Sequence, residues 1–469
     1  MYSDDTQLRL AVCRCLRSDG RFDIEAFSKI ELPVLPSYEL GAGLGTKAAA
    51  QALGKKAVRW NSNFFASKRS RYVNGGGNGA AMRIQPHVWA AASHRPDAYL
   101  PQVLRDAVCT HGHPRGILGA VLHALALGST ISEGSVPDPS RWEGMAKFLS
   151  RIPSLMAEDE DFADRWLPLW EKNAGRAYGD ANDETVQEIR QQLGTAAKAA
   201  RKGQGKQDEA YAELAEKLGG LSPKTRGSGV VSVVLSLWLA WRCEDHAADA
   251  GRLAANLIGS DTDTIGTMAA ALAGPLQEAP PPGPVHDAKL HIREALRAEA
   301  IAAGRAVDDF PHPDPLHFRA PSTANGFLGV WEGRPLLAGL GRVVPEGDLY
   351  AQPGGREPGG WQWASTEFGQ HMLIKRRLEL PELGAWAAPL SRQRSRSSQE
   401  GRIAQGRNGT APGSADSIED AIRMLSKAGF QPALFGELFQ ELARGPNGAA
   451  RAGVFGTLVA ERMAQKKRH

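Results

Sequence analysis

Cysteine is scarce: Cys13, Cys15, Cys109 and Cys243 are the only four in 469 residues. So few thiols cannot staple a chain of this length, which excludes a disulfide-built scaffold. Cys13 and Cys15 are spaced C-x-C without the partners of a zinc site, so all four are expected to be reduced. An excess of one charge is also lacking. Lys and Arg number 56 against 52 Asp and Glu, a net +4, too little to argue for nucleic acid by itself. Long apolar runs are missing. The longest, over 230–241, is broken by Ser232 and Ser236 and reads as a buried helix rather than a membrane span. No basic-then-apolar leader follows Met1-Tyr2-Ser3-Asp4-Asp5. A cytoplasmic protein with no membrane association is the expectation. What is present is ordinary globular composition, 42% apolar and 23% charged, at a length that suggests about two or three domains.

Apolar periodicity predicts a mainly helical first part. Leu8, Ala11, Val12, Cys15 and Leu16 recur at helical spacing over 4–17. Short helices joined by Gly and Pro turns follow over 22–72, then a glycine-rich loop over 73–79. Helical patterns continue over 81–92, 98–108 and 112–128. Residues 131–226 are more polar and read as exposed helices with a mobile basic turn at 201–206. Apolar patterning returns over 229–274. Pro280, Pro281, Pro282 and Pro284 mark a stiff linker over 277–285. A helix over 286–304 precedes a Pro- and His-rich stretch at 310–321. Runs at 327–331, 336–344, 361–364 and 371–378 read as strands. Arg392, Arg394, Arg396, Arg402 and Arg407 sit among Ser, Gln and Gly over 391–416, the composition of a disordered linker. A helical tail starts at Ser417 with a Ser-x-x-Asp capping box, and its Leu434–Leu442 face could pair with a partner helix. The expected fold class is mainly α: a helical domain over 1–276, the linker 277–285, a small α+β module over 286–390, a basic linker over 391–416 and a helical tail over 417–469.

Two acidic clusters frame the helical part: Ser3-Asp4-Asp5-Thr6 and Gly259-Ser260-Asp261-Thr262-Asp263-Thr264. Each precedes an apolar helix, and helix capping alone needs one such residue. Two carboxylates plus hydroxyls at both places exceed that need. Four crowded carboxylates repel unless cations offset them, and two divalent ions would balance them. Hard oxygen donors suit Mg²⁺ or Mn²⁺ rather than zinc. Between the clusters lie Gly77-Asn78-Gly79-Ala80-Ala81-Met82-Arg83 and Thr110-His111. A glycine-rich loop lets backbone N–H groups approach a diphosphate without side-chain obstruction.

These four motifs, in this order, resemble the ADP-ribosylglycohydrolase family, the ADP-ribosyl-acceptor hydrolases related to dinitrogenase-reductase-activating glycohydrolase. The resemblance covers residues 2–276. It implies an all-α fold with a two-Mg²⁺ site in a cleft. It also implies cleavage of the N- or O-glycosidic bond between ADP-ribose and a modified protein side chain or nucleic acid. Carried over residue by residue, Ser3, Asp4, Asp5, Asp261, Asp263 and Thr264 would be metal ligands, with Asp261 also a candidate catalytic residue. Gly77, Asn78, Gly79 and Ala80 would hold the distal ribose and diphosphate, and His111 would contact substrate. Gly227, Ser228 and Gly229 would line the adenosine side. Metal ions can fix ribose hydroxyls and position a water at the anomeric carbon, where oxocarbenium character develops as the leaving group departs.

One departure stands out. The family carries a segment before its Asp-Asp motif that usually supplies a Glu near the scissile bond, and only Met1 and Tyr2 precede Ser3 here. A truncated start, with a groove left beside helix 4–17, is the expectation. The alternative function is a catalytically impaired ADP-ribose-binding module; another is an interaction protein recruiting a partner through its C-terminal module.

Other signals read as structural. Gly41-Ala42-Gly43-Leu44-Gly45-Thr46-Lys47 lacks the G-x-x-x-x-G-K order and reads as a turn before helix 47–53. His312, Asp314 and His317 read as a solvated loop, and Trp331, Trp361 and Trp363 as core packing. Arg83 reads as an ion pair anchoring the glycine loop rather than a ligand contact.

Overall fold

The first apolar stripe becomes α1 (Asp4–Cys15) in the computed structural model, with ten of its 12 residues buried. The structure describes residues 2–68, 70–201, 206–278, 283–351 and 358–390, together with parts of 421–459. Arg14 of α1 is paired inside the core. Arg14 Nε and Nη2 each lie 2.7 Å from a carboxylate oxygen of Glu31, and His312 Nε2 lies 2.9 Å from Glu31 Oε1. His312 is therefore buried in an ion-pair triad, not solvated; His317, paired with Asp314, is exposed.

The groove expected beside α1 is filled. Ala298 and Ile301 from the helix Ala288–Ala302 pack with Leu16 and Ala90. Arg297 reaches across to accept the end of α1: its guanidinium donates to the carbonyls of Cys13 (2.9 Å) and Leu16 (2.5 Å). A cation there complements the carbonyl end of the helix.

We number the remaining helices used below α2 (Leu44–Leu53), α3 (Pro96–Thr110), α4 (Pro114–Glu133), α5 (Gly229–Arg242), α6 (Thr262–Ala273), α7 (Ala288–Ala302) and α8 (Pro432–Arg444). The apolar α4 and α5 form the centre of the core. They cross at glycines. A Cβ on Gly119 would lie 2.7 Å from Gly229 O, and one on Gly229 would lie 2.5 Å from Arg115 O. This close approach brings the N-termini of both helices beside the glycine loop. α4 is the one described helix with the length and apolarity of a membrane span, and 78% of that window is buried inside the protein.

The helix expected over 81–92 is regular only at Gln85–Trp89. The preceding residues wind as turns because the fully buried Arg83 is tied to Gly79, Asp106 and Thr110.

Beyond α7, β1 (Leu328–Trp331), β2 (Arg334–Leu337), β3 (Gly341–Ala351), β4 (Gly359–Thr366) and β5 (His371–Arg377) form an antiparallel meander in chain order. The run at 336–344 makes two strands, not one. It reverses at Gly339 (φ 87°) and Gly341 (φ 128°), a left-handed path that glycine takes without strain. Leu336, Leu337, Ala338 and Leu340 join the same apolar cluster as the helices. Trp331, Trp361 and Trp363 are only half-buried. Trp331 packs against that core under Arg342, while Trp361 carries Lys375 Nζ 4.6 Å over its ring.

Residues 1–391 make one compact unit and 392–469 another. In the second, Leu438 and Leu442 of α8 are buried with Ala421, Leu425, Phe455 and Val459. Leu438 and Leu442 of the face expected to meet a partner helix are thus covered within their own unit, while Phe439 is 37% exposed. The basic linker and the capping box at Ser417 lie outside the described residues.

Candidate active site

A cleft of about 620 Å³ opens where seven segments converge. They are the start of α1, the stretch 41–46 that begins α2, the stretch 67–71, the glycine loop 74–79 with Met82, the α3–α4 corner with His111, Gly227 ahead of α5, and the start of α6.

The acidic end comes from two helix starts. Asp4 and Asp5 occupy the first turn of α1, and Asp263 and Thr264 the first turn of α6, with Asp261 as its N-cap. Carboxylate oxygens of Asp4, Asp5 and Asp263 lie within 4.8 Å of one another. Burial, and then the neighbouring charges of Asp5 and Asp263, push the Asp4 carboxyl up to about 8. Burial and Asp263 push Asp5 to about 6. Burial likewise raises Asp261. Ser3 Oγ donates to Asp5 Oδ2 at 2.9 Å, while Asp5 Oδ1 is buried with no hydrogen-bond partner among the described residues. A buried oxygen left open, in an all-oxygen set of repelling carboxylates, fits a hard divalent cation.

The glycine loop is fixed from two sides. Asn78 N donates to Gly227 O and Gly229 N to Gly76 O, both at 3.0 Å. The Asn78 amide spends its donors within the protein, on Ser232 Oγ (2.9 Å) and Asp261 Oδ2 (2.8 Å), leaving its oxygen for other partners. Beneath the loop, Arg83 donates to Gly79 O at 3.0 Å, Thr110 Oγ1 at 2.9 Å and Asp106 Oδ1 at 2.8 Å. Arg83 and His87 hold the Asp106 carboxyl below its ordinary range despite complete burial. This is the anchoring ion pair that the sequence suggested.

His111 is buried, and burial and then Arg83 lower its pKa to about 3. Its Nδ1 lies 2.7 Å from Thr110 Oγ1. Thr110 Oγ1 accepts from Arg83 and can give its own hydrogen to Nδ1, and in that tautomer the imidazole proton sits on Nε2. That edge faces the glycines: a Cβ on Gly77 would lie 3.6 Å, and one on Gly79 3.5 Å, from Nε2.

The structure brings Asp4, Gly77, Asn78, Gly79, His111, Asp261, Asp263 and Thr264 to the cleft wall. Ser3 and Asp5 stand behind Asp4 within the acidic cluster. Ala80 is fully buried in the core. Gly227 lines the cleft, whereas Gly229 is consumed by the helix crossing.

Sequence reasoning passed over one wall. Gly41, Gly43, Leu44, Gly45 and Thr46, read as a mere turn, line the cleft together with Lys68 and Arg71. Gly41 has φ 105°, and a Cβ on it would lie 3.1 Å from Asp4 Oδ1. Glycine at alternate positions ahead of Thr46 was the available signal. Glu39 braces this wall: Oε2 accepts from Ala42 N, and Oε1 lies 3.0 Å from Lys47 Nζ and 3.6 Å from Lys375 Nζ.

Comparison with known families matches residues 1–279 to the ADP-ribosylglycohydrolase family. No curated protein matches the chain.

Proposed function

The chain belongs to the ADP-ribosylglycohydrolase family, a hydrolase family, and from that premise we propose that it frees ADP-ribose from a modified protein or nucleic acid by divalent-metal-dependent hydrolysis. The observation that carries this reading is the meeting of the buried carboxylates and the glycine loop in one cleft.

Ser3, Asp4, Asp5, Asp261, Asp263 and Thr264 would hold two Mg²⁺, or Mn²⁺ in their place. Bound there, the ions supply positive charge to the ribose hydroxyls and to a water near the anomeric carbon. The chain's own groups do the rest. Asn78 locks the orientation of Asp261 through the 2.8 Å bond. Asp261, so positioned, is the candidate to take the proton of the attacking water. His111, uncharged at neutral pH, offers Nε2–H to substrate oxygen and does not act as an acid. Gly77 and Gly79 keep the loop surface free of side chains, so the diphosphate can approach the backbone. Lys68 and Arg71 add cations on the same wall.

The test is release of free ADP-ribose from ADP-ribosyl-arginine peptide, ADP-ribosyl-serine peptide and ADP-ribosylated DNA. Release from at least one in Mg²⁺, stopped by chelator and by Asp261→Ala, is expected. Undiminished turnover in Asp261→Ala would overturn the catalytic assignment. Binding of ADP-ribose with no release from any substrate would leave a binding module instead.

A further inference from the structure

A second cluster of ligand-type side chains lies outside the cleft, where α7 begins against the sheet. We propose that His286, Glu346 and His371 form a transition-metal site selective for Zn²⁺, with Asp287 as the carboxylate that orients His371.

The residues come from three elements. His286 and Asp287 lead into α7, Glu346 is on β3, and His371 opens β5. One ligand atom each from His286, Asp287 and His371 can be chosen within 4.8 Å of the others. Asp287 is the fixed point: its side chain is 2% exposed, and its backbone takes the left-handed φ of 53°. Its Oδ2 accepts from Tyr2 Oη at 2.8 Å and His371 N at 2.9 Å, and its Oδ1 lies 2.6 Å from His371 Nδ1.

That last contact sets the chemistry. With Nδ1–H donated to a buried carboxylate, the lone pair of His371 falls on Nε2. A metal-ligating imidazole is held in this way by an outer carboxylate, which also raises its basicity. His371 Nε2 stands 3.9 Å from Glu346 Oε1, too far for a hydrogen bond. Donors around a tetrahedral zinc, each bonded at about 2.0–2.1 Å, stand roughly 3.3 Å apart. Small side-chain rotations close that difference. The His286 ring lies beside His371, 5.6 Å from its ring centroid and with Nε2 3.8 Å from Asp287 Oδ1. The His286, His371 and Glu346 side chains are 40–45% exposed, so an ion can enter from solvent and a water can complete the shell.

Two imidazoles and a carboxylate select Zn²⁺ over Mg²⁺, the reverse of the all-oxygen cleft. The buried Cys15–Glu31–His312 group offers no such site, because Arg14 already claims both Glu31 oxygens. Through Asp287 and Tyr2, the bound ion would tie the sheet to the segment entering α1.

The experiment uses the tag-free full chain, stripped of metal and held in excess Mg²⁺, titrated with Zn²⁺ by calorimetry. One Zn²⁺ per chain is expected. It should persist in Asp261→Ala, vanish in His286→Ala and His371→Ala, and weaken about 10- to 100-fold in Asp287→Asn. Uptake unchanged in both histidine variants, or lost in Asp261→Ala, overturns the site. On the unaltered chain, diethylpyrocarbonate labelling of His286 and His371, mapped by mass spectrometry, should be blocked by Zn²⁺. Equal labelling with and without Zn²⁺ also overturns it.

Discussion

Asp106 and Asp5 are both buried aspartates on helices of the same helical body, and they are treated in opposite ways. Asp106 lies beneath the glycine loop with Arg83 and His87 on its oxygens, and its carboxyl is held below the ordinary range. Asp5 faces Asp263 and Asp4, keeps one oxygen unpartnered, and is pushed up to about 6. The protein neutralises the first charge with a direct ion pair, whereas the Arg9 charge that acts on the second is outweighed by burial and Asp263. Burial alone therefore does not mark a functional carboxylate. The lack of a direct ion pair does, because a buried charge with no partner in contact is costly to keep.

The largest expected effect tests the satisfied member. Asp106→Ala strands Arg83 and should cost about 3–5 kcal/mol in denaturant unfolding. A loss near zero would mean that the pair does not hold the loop. Gly229→Ala comes next. Its added methyl meets Arg115 O, Gly77 O and Gly116 Cα, so about 1–3 kcal/mol should be lost, with weaker ADP-ribose binding as the loop shifts. Asp5→Asn should act in the opposite direction. By removing repulsion it should raise the melting point of chelated protein by about 1 °C, equivalent to about 1 kcal/mol in a unit of 391 residues. The same variant should lose the stabilisation that Mg²⁺ gives the unaltered chain.

The smallest effect is a pH trend. Asp4 and Asp5 titrate near 8 and 6 when folded, above the ordinary carboxylate value of about 3.9 expected when unfolded. The folded state thus holds protons that the unfolded chain releases. Their contribution to stability is full below about pH 4 and is lost as pH rises through 6 to 8. Mg²⁺ must displace those protons, so its affinity should climb over the same window. Melting curves with chelator and with Mg²⁺ should diverge as pH increases. A constant gap would place Mg²⁺ elsewhere.

Much of this contrast was legible in the sequence, because motif residues that carry chemistry lie close together in the chain. Asp4 and Asp5, Asp261 and Asp263, and Gly77 to Gly79 each declare themselves within a few positions. The helical body followed from periodicity for the same reason. Long-range pairing was not legible. His312 stands among prolines, and nothing local says that Glu31 and Arg14 will bury it. Gly41 to Thr46 failed the test for one particular phosphate loop, yet tertiary packing sets them beside Asp4. The filling of the face beside α1 depended on Arg297, far along the chain. The strand run at 336–344 was misread because its apolar residues continue through a turn that two positive-φ glycines make.

The most direct test of the central claim is calorimetric titration of ADP-ribose onto the unaltered chain and onto Asp261→Ala, each with Mg²⁺ and with chelator. The account predicts binding that requires Mg²⁺ and disappears in the variant while the fold remains intact. Binding of equal strength in chelator, or in folded Asp261→Ala, would contradict it.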